Sequence, residues 1–443
     1  MKTVYTYKEI WHIAYPILIS LIIQQMIGLT DTAFLGRVGE VELGASAIAG
    51  VFYIAIYMLG FGFSVGTQIL IARRNGAKRF SEIGNIFYQG VYFQIALSLI
   101  MFLATKYLSP ILLSHIISSE HVYQATMKFL NWRIIGFFFS FQMVMFRAFY
   151  VGTTQTKPLT FNSILMLTIN AGLNYILIFG KCGLPALGIA GSAIGSTLSE
   201  MISMLFFIIY MRSRTNIRKF GLNIIPRFRL SALRKILTIS IWTMIQNFVS
   251  LSTWFIFFVF IEHLGEESLA VANIVRGVSG ITFMMIMAFA ATCSSLVGNL
   301  MGAGKTDAVM PTIHQHIRMS YILILPFIIL YAIFPSWVAR IYTDIPELIQ
   351  QSVPVIWSLC TAYIIMIPAN IYFQAVSGTG NTQKAFLMEF VALIIYIAYG
   401  GMVIMEMRSS VAVAWTTEHV YALMIGAFSY LYLKKGNWRS KKL

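Results

Sequence analysis

Acidic residues are scarce in this chain: sixteen Asp and Glu stand in 443 positions against 32 Lys and Arg, and charged residues of both signs make up only 11%. Soluble domains carry about a quarter charged residues, so a soluble multidomain protein is excluded. Cysteine is scarcer still. Cys182, Cys293 and Cys360 are far apart, odd in number and form no C-x-x-C pair, which supports neither a disulfide framework nor a zinc site. They are expected to be packing residues. No nucleophile–base pair or metal-ligand cluster stands out, and His314 and His316, two apart near a helix end, do not share a helical face, so an enzyme is not expected.

What abounds is apolar. Hydrophobic residues make up 58% of the chain, and the mean hydropathy is +0.76, the composition of a membrane protein. Runs of the ~20 residues that cross a bilayer fall at 11–35, 44–72, 83–104, 121–151, 158–180, 187–211, 236–261, 269–300, 313–335, 348–377, 384–405 and 409–433. A closed barrel would show short alternating strands instead. Lys2 and Lys8 before an apolar run have the look of a signal peptide, but the run from Trp11 to Leu35 is too long for one and is expected to remain as a spanning helix.

The net charge of +16 could suggest nucleic acid, and its distribution argues otherwise. One set of loops holds Lys2, Lys8, Arg73, Arg74, Lys78, Arg79, Lys157, eight basic residues from Arg212 to Lys235, then Lys305, Arg318, Lys384, and Lys434, Lys435, Arg439, Lys441 and Lys442. The other set holds Arg37, Lys106, Lys181, Arg340 and Arg408. The positive-inside rule then places both termini in the cytoplasm of a multi-pass protein of the plasma (inner) membrane, with the basic surplus facing anionic headgroups and no nucleic acid as partner.

The stretch from Arg212 to Lys235 has no acid and carries Gly221 and Pro226 as breakers, so it is expected to be a linker. The sequence repeats across it. Gly39-Glu40-Val41-Glu42-Leu43 recurs as Gly265-Glu266-Glu267-Ser268-Leu269, Gly76-Ala77 as Gly302-Ala303, and Gly152-Thr153 as Gly378-Thr379, all at an offset of 226. Ser192 to Glu200 and Ser410 to Glu418 match at 218. The expected organisation is an all-α membrane protein with twelve transmembrane helices in two six-helix lobes related by a pseudo-twofold axis along the membrane normal. The N-terminal lobe covers 1–211, the basic cytoplasmic linker 212–235, the C-terminal lobe 236–433 and a basic tail 434–443. A cleft between two such lobes is the natural path of a transported substrate.

Within the spans the acids are Asp31, Glu200, Glu389 and Glu418, and the bases Lys128, Arg133, Arg147 and Arg276. A charge there costs about 2.5–3.5 kcal/mol even on lenient insertion scales, so each one needs a reason. Ser20, Gln24, Gly28 and Asp31 fall on one helical stripe. Asp31 lies near the outer end of the first span at about the height of Asn174 in the fifth, and Asn170 is one turn from Asn174 on the same face. These residues form a candidate cation or proton site, the alternative being a structural aspartate that caps or pairs. Glu200 and its repeat mate Glu418 sit deeper, as a symmetric architectural pair or as a proton relay, and Glu200 is too deep to touch Asp31. Arg147 is the expected counter-charge of Glu200, Arg133 and Lys128 are expected to snorkel, Glu389 fits a gate or a pairing role, and Arg276 stays open. The aromatic runs Phe137-Phe138-Phe139-Phe141 and Trp254-Phe255-Phe257-Phe258 could line a pocket for flat cations, and lipid-facing packing is the plainer reading.

Gln24 to Ala47, the Gly76-Ala77-Lys78 loop, the run from Asn170 to Gly180, and Gly152 and Gly378 closing the fourth and tenth spans resemble the multidrug and toxic-compound extrusion (MATE) family over nearly the whole chain. The resemblance implies two six-helix lobes opening alternately to either side, and a secondary antiporter that exports drugs or other organic, often cationic, compounds for H+ or Na+. It implies a proton or sodium site at Asp31, with Na+ there as the only metal, and Asn170 beside it. Asn174 stands where many members carry a second aspartate, a NorM-like pattern. NorM-like members also place a glutamate in the seventh helix and an aspartate in the tenth, where this chain has Ser250 and Met366, so ion coupling is expected to rest on the N-terminal lobe. A flippase for a lipid-linked precursor is the alternative function. It would want a strongly cationic cavity, whereas this one offers an acid and amides. No cofactor other than the coupling ion is expected, and the chain is expected to act as a monomer.

Overall fold

The computed structural model describes residues 4–117 and 119–440. Lys2, Lys441 and Lys442, counted in the charge pattern, lie outside them. Twelve helices among the described residues are long and apolar enough to cross a membrane: α1 (Tyr7–Leu35), α2 (Glu40–Gly76), α3 (Ser81–Ile116), α4 (Glu120–Gly152), α5 (Lys157–Phe179), α6 (Ile189–Arg214), α7 (Leu230–Glu262), α8 (Glu266–Gly302), α9 (Thr306–Ile333), α10 (Pro346–Gly378), α11 (Thr382–Glu406) and α12 (Val411–Lys435). No strand occurs among the described residues. Every expected span is present and most are longer than the apolar core that announced them, because the backbone hydrogen-bond ladder continues into the polar flanks. Ile95, Leu99, Ile100 and Leu103 stand exposed along α3, a surface suited to lipid.

The internal repeat is visible in the helices themselves. Both α2 and α8 are 37 residues long and begin and end 226 positions apart, and α4 and α10 close at Gly152 and Gly378.

The chain forms two compact units. The amino-terminal unit is Ile19–Met244, and the carboxy-terminal unit joins Met1–Leu18 to Ile245–Leu443. Their limits therefore run through α1, two residues past Pro16, and through α7, rather than along the 1–211 and 236–433 boundaries read from the sequence. In the amino-terminal unit α5 packs along α6, and α2 against α4. The contact face of α6 is built of small buried residues, Gly191, Ser192, Ala193, Gly195, Ser196 and Ser199, which let two backbones approach closely where no hydrophobic drive separates helix from lipid. In the carboxy-terminal unit α10 packs against α8 and α12.

The expected linker is fastened down. Gly84 N–H donates to Phe220 O at 2.8 Å, the Tyr88 and Tyr92 hydroxyls donate to Leu222 O and Pro226 O, and Gln89 both donates to Arg227 O and accepts from Arg229 N–H. Bonds from four positions on α3 thus hold the 220–229 segment in the amino-terminal unit. Cys293 and Cys360 are buried, as packing residues should be, but Cys182 is exposed in the α5–α6 turn. That turn needs short, permissive residues: Gly180 closes α5 at φ 68°, a conformation glycine takes without strain.

Candidate functional site

In the amino-terminal unit the structure brings Asp31 and Asn174 together. Asn174 Nδ2 donates to Asp31 Oδ1 at 2.5 Å and lies 3.3 Å from Asn170 Oδ1. Asn170 Nδ2 in turn donates to Ser196 Oγ at 3.1 Å. Asn170 and Asn174 are fully buried. Local sequence explains the meeting: Asp31 is four residues from the end of α1 and Asn174 five from the end of α5, about 6 to 8 Å by helical rise. Gly195 on α6 leaves the space that Asn174 Oδ1 fills, since a Cβ there would run into that oxygen. Asn174 Oδ1 has no hydrogen-bond partner and is buried, which leaves one acceptor free beside the carboxyl. Gln24, expected in the same site, is exposed, and no hydrogen bond joins it to Asp31 among the described residues. It lies on the same stripe but two turns away, about 10 Å along the axis.

The deeper acid has a different partner from the one expected. Arg133 grips Glu200 with both arms, Nη1 to Oε2 at 2.8 Å and Nη2 to Oε1 at 2.5 Å. Arg147 instead lies over the Phe61 ring, 5.2 Å from its centroid. Depth gives the reason. Arg133 is thirteen residues into α4 and Glu200 eleven into α6 from the same side, so they are level, whereas Arg147 is near the far end. Arg133 therefore does not snorkel, while Lys128 is exposed. A 3₁₀ turn at Ile134–Gly136 follows Arg133, and Gly136 makes room for the pair: a Cβ there would collide with both Arg133 Nη1 and Glu200 Oε2. The guanidinium also stacks on Tyr53, 3.8 Å from the ring centroid. Asp31 does not touch Glu200, but its carboxyl is within electrostatic reach of Arg133 and Glu200.

The carboxy-terminal unit does not mirror this arrangement. At the repeat offset Asp31 corresponds to Phe257, which is buried against Tyr396 and Trp415, and Arg133 corresponds to Leu359, buried in the core. Glu418 accepts from Tyr396 Oη at 2.9 Å and takes part in no ion pair among the described residues. Glu200 and Glu418 match in sequence position and not in chemistry, so they are not a symmetric pair. Glu389, read from sequence as a gate or pairing residue, is buried in α11, where Oε1 accepts from Ser250 Oγ at 2.6 Å and Tyr421 Oη at 2.9 Å. A carboxyl thus stands beside Ser250 after all, supplied by α11 rather than by α7 or α10. The sequence signal that could have found it was the bare Glu in an apolar span. Arg276 lies 5.6 Å from the Phe258 centroid and 6.0 Å from that of Trp254, which gives the Trp254–Phe258 run a cation partner from α8. Phe137 and Phe141 are core residues, Phe137 stacked on Tyr53 at 4.6 Å.

Twelve apolar helices with a duplicated frame, and acids held inside the bundle by amides and hydroxyls, define a multi-pass membrane transporter. Within that class the chain belongs to the MatE family, whose profile matches it twice, over residues 16–176 and 243–401. Among similar proteins are the probable multidrug resistance protein NorM of Thermotoga maritima, 26% identical over 87% of this chain and 83% of its own length, and that of Pasteurella multocida, 25% identical over 78% and 75%. Among solved structures, the outward-facing conformation of a multidrug resistance MATE family transporter superposes with a TM-score of 0.89, covering 98% of this chain and 97% of that one at 15% identity. A MOP superfamily transporter from Pyrococcus furiosus, described as having a binding pocket of reverse polarity, gives 0.85 at 16% identity and 97% of each chain.

Proposed function

We propose that this chain is a secondary antiporter of the plasma membrane that exports drugs or other organic, often cationic, compounds in exchange for H+, its two halves giving alternating access and its termini lying in the cytoplasm. The observation that carries this reading is the Asp31 carboxyl, held by Asn174 at 2.5 Å inside a helix that would otherwise cross the bilayer uncharged. The multidrug resistance relatives supply the substrate class.

The chemistry follows from the donors present. Ionised, Asp31 accepts a charge-assisted bond from the Asn174 amide and attracts an organic cation. Protonated, it loses that attraction and gains a donor of its own, while the Asn174 Oδ1 beside Gly195 is an acceptor without a partner. Proton and substrate then compete for one carboxyl, which is the minimum an exchanger needs. A proton suits the site better than Na+, because a single carboxylate flanked by amides offers few oxygens to replace an ion's hydration shell. The lipid-precursor reading wants a free cationic cluster for phosphate, and the nearest guanidinium here is already committed to Glu200.

The test is transport in proteoliposomes under an imposed pH gradient and, separately, an imposed sodium gradient, with Asp31→Asn as the control. The pH gradient should drive accumulation of a lipophilic cation in the wild type and not in Asp31→Asn. Drive by sodium alone would move the reading to Na+, and undiminished transport by Asp31→Asn would remove Asp31 from it.

A further inference from the structure

The carboxy-terminal unit contains a buried acid that the Asp31 reading leaves unused. Glu389 is 4% exposed. Its Oε1 takes two donors, Ser250 Oγ from α7 and Tyr421 Oη from α12, while its Oε2 is buried without any hydrogen-bond partner. No cation answers it: the ion pairs of the described residues leave out both Glu389 and Glu418. The titratable groups around it are Tyr421, whose ring packs edge-on to Tyr396 at 6.0 Å, and beyond that Glu418, bonded to Tyr396. From α7 the neighbour is a neutral hydroxyl.

A second buried oxygen nearby is also unsatisfied. Gln246 is one turn before Ser250 on α7, its backbone carbonyl lies 2.8 Å from Ser250 Oγ, and its own Oε1 is buried without a partner. Buried polar atoms are nearly always paired, and an unpaired buried anion is among the most costly arrangements a protein can hold. Two unsatisfied acceptors, one of them a carboxyl oxygen, call for a donor that comes and goes. A proton is the smallest such donor. The arrangement is poor in ligands for a metal ion: one carboxylate and two hydroxyls already engaged as donors fall short of the oxygen cage a hard cation demands.

We propose that Glu389 is a second proton-exchanging carboxyl, held between α7 and α12 by Ser250 and Tyr421 and working independently of Asp31. When ionised it draws charge-assisted bonds from both hydroxyls and ties α7 and α12 to α11. Taking a proton on Oε2 removes the charge and weakens both ties. The loading of this site thereby biases how firmly three helices of the carboxy-terminal unit are joined.

Infrared difference spectroscopy of the full-length protein in nanodiscs tests this directly, because a protonated carboxyl has its own carbonyl band. The measurement compares Asp31→Asn with Asp31→Asn/Glu389→Gln, so that the first site contributes nothing and failure of the Asp31 reading leaves the result unaffected. Between about pH 5 and pH 9, a window that buried glutamates can reach, the single variant should show a protonated-carboxyl component that disappears as pH rises and is missing from the double variant, any contribution of Glu418 being common to both and cancelling in the difference. Replacing choline with sodium at fixed pH should leave it unchanged. Tyr421→Phe, which removes one donor and keeps the carboxyl, should shift the band without abolishing it and serves if Glu389→Gln fails to fold. Identical spectra for the two proteins, a band that does not titrate, one that sodium removes, or no shift in Tyr421→Phe would each overturn the proposal.

Discussion

Glu200 and Glu418 occupy matching places in the two halves of a duplicated chain, yet one is locked and the other is not. Glu200 is clamped by a bidentate arginine that also stacks on a tyrosine. Glu418 has a tyrosine hydroxyl and, where the arginine would be, Leu359. At the repeat offset, Asp31 near the end of α1 corresponds to the apolar Phe257, so only the amino-terminal half has an acid at that position. Duplication preserved the frame, the 37-residue α2 and α8 above all, while each half holds its acids without an ion-pair partner among the described residues in different places: Asp31 near the end of α1 in one, Glu389 in α11 and Glu418 in α12 in the other. A paired acid fixes structure, and an acid answered only by neutral donors keeps the freedom to change charge.

Removing the Arg133 clamp should separate Glu200 from Glu418 most strongly. Arg133→Leu leaves Glu200 buried without its counter-charge and with only the Tyr53 hydroxyl as donor among the described residues, 3.5 Å away, and should cost about 3–5 kcal/mol, read as a large fall in thermal unfolding temperature in detergent. The double change Arg133→Leu/Glu200→Leu should recover most of that loss, since replacing both partners of a buried pair is often near neutral. Next in size is Gly136→Ala, which pushes a methyl into the ion pair and should cost about 1–3 kcal/mol by the same measurement, with no comparable loss for Gly28→Ala, where a Cβ meets nothing. Asn174→Ala removes the donor to Asp31, an interaction worth about 1.5–3 kcal/mol when the acceptor is charged. It should lower substrate affinity and transport together while leaving insertion intact, measured by binding and uptake in proteoliposomes. The smallest effect belongs to Glu418→Gln. It keeps an acceptor for Tyr396 and breaks no ion pair, so its unfolding temperature should change by no more than a neutral hydrogen bond is worth, about 1 kcal/mol. A loss as large as that of Arg133→Leu would erase the distinction between the two halves.

The twelve spans and the repeat were legible because apolar length and fixed offsets are properties of the chain alone. The meeting of Asp31 with Asn174 was also legible, since counting residues from helix ends places both at one height. The same count, taken from the start of α4, would have set Arg133 opposite Glu200. Arg133 lies only five residues after Lys128 in the sequence, which hides its match in depth to Glu200 and favours Arg147 as the partner. Gln24 was over-read: a shared stripe gives direction but not reach, and two turns separate it from Asp31. Glu389 was legible as a bare acid in an apolar span, but its set of partners was not. It depends on how α7, α11 and α12 pack side by side, and no spacing within one helix encodes which neighbour presents Ser250 or Tyr421. Nor could charge counting reveal that the 220–229 segment is fastened to α3 through backbone carbonyls, because those acceptors belong to every residue type.

If proton and substrate compete for Asp31, substrate binding must release a proton. Purified protein in weakly buffered detergent solution, mixed with a lipophilic organic cation such as ethidium, should acidify the medium in wild type and fail to do so in Asp31→Asn. Equal proton release from both proteins, or none from the wild type while the cation binds, would contradict that competition.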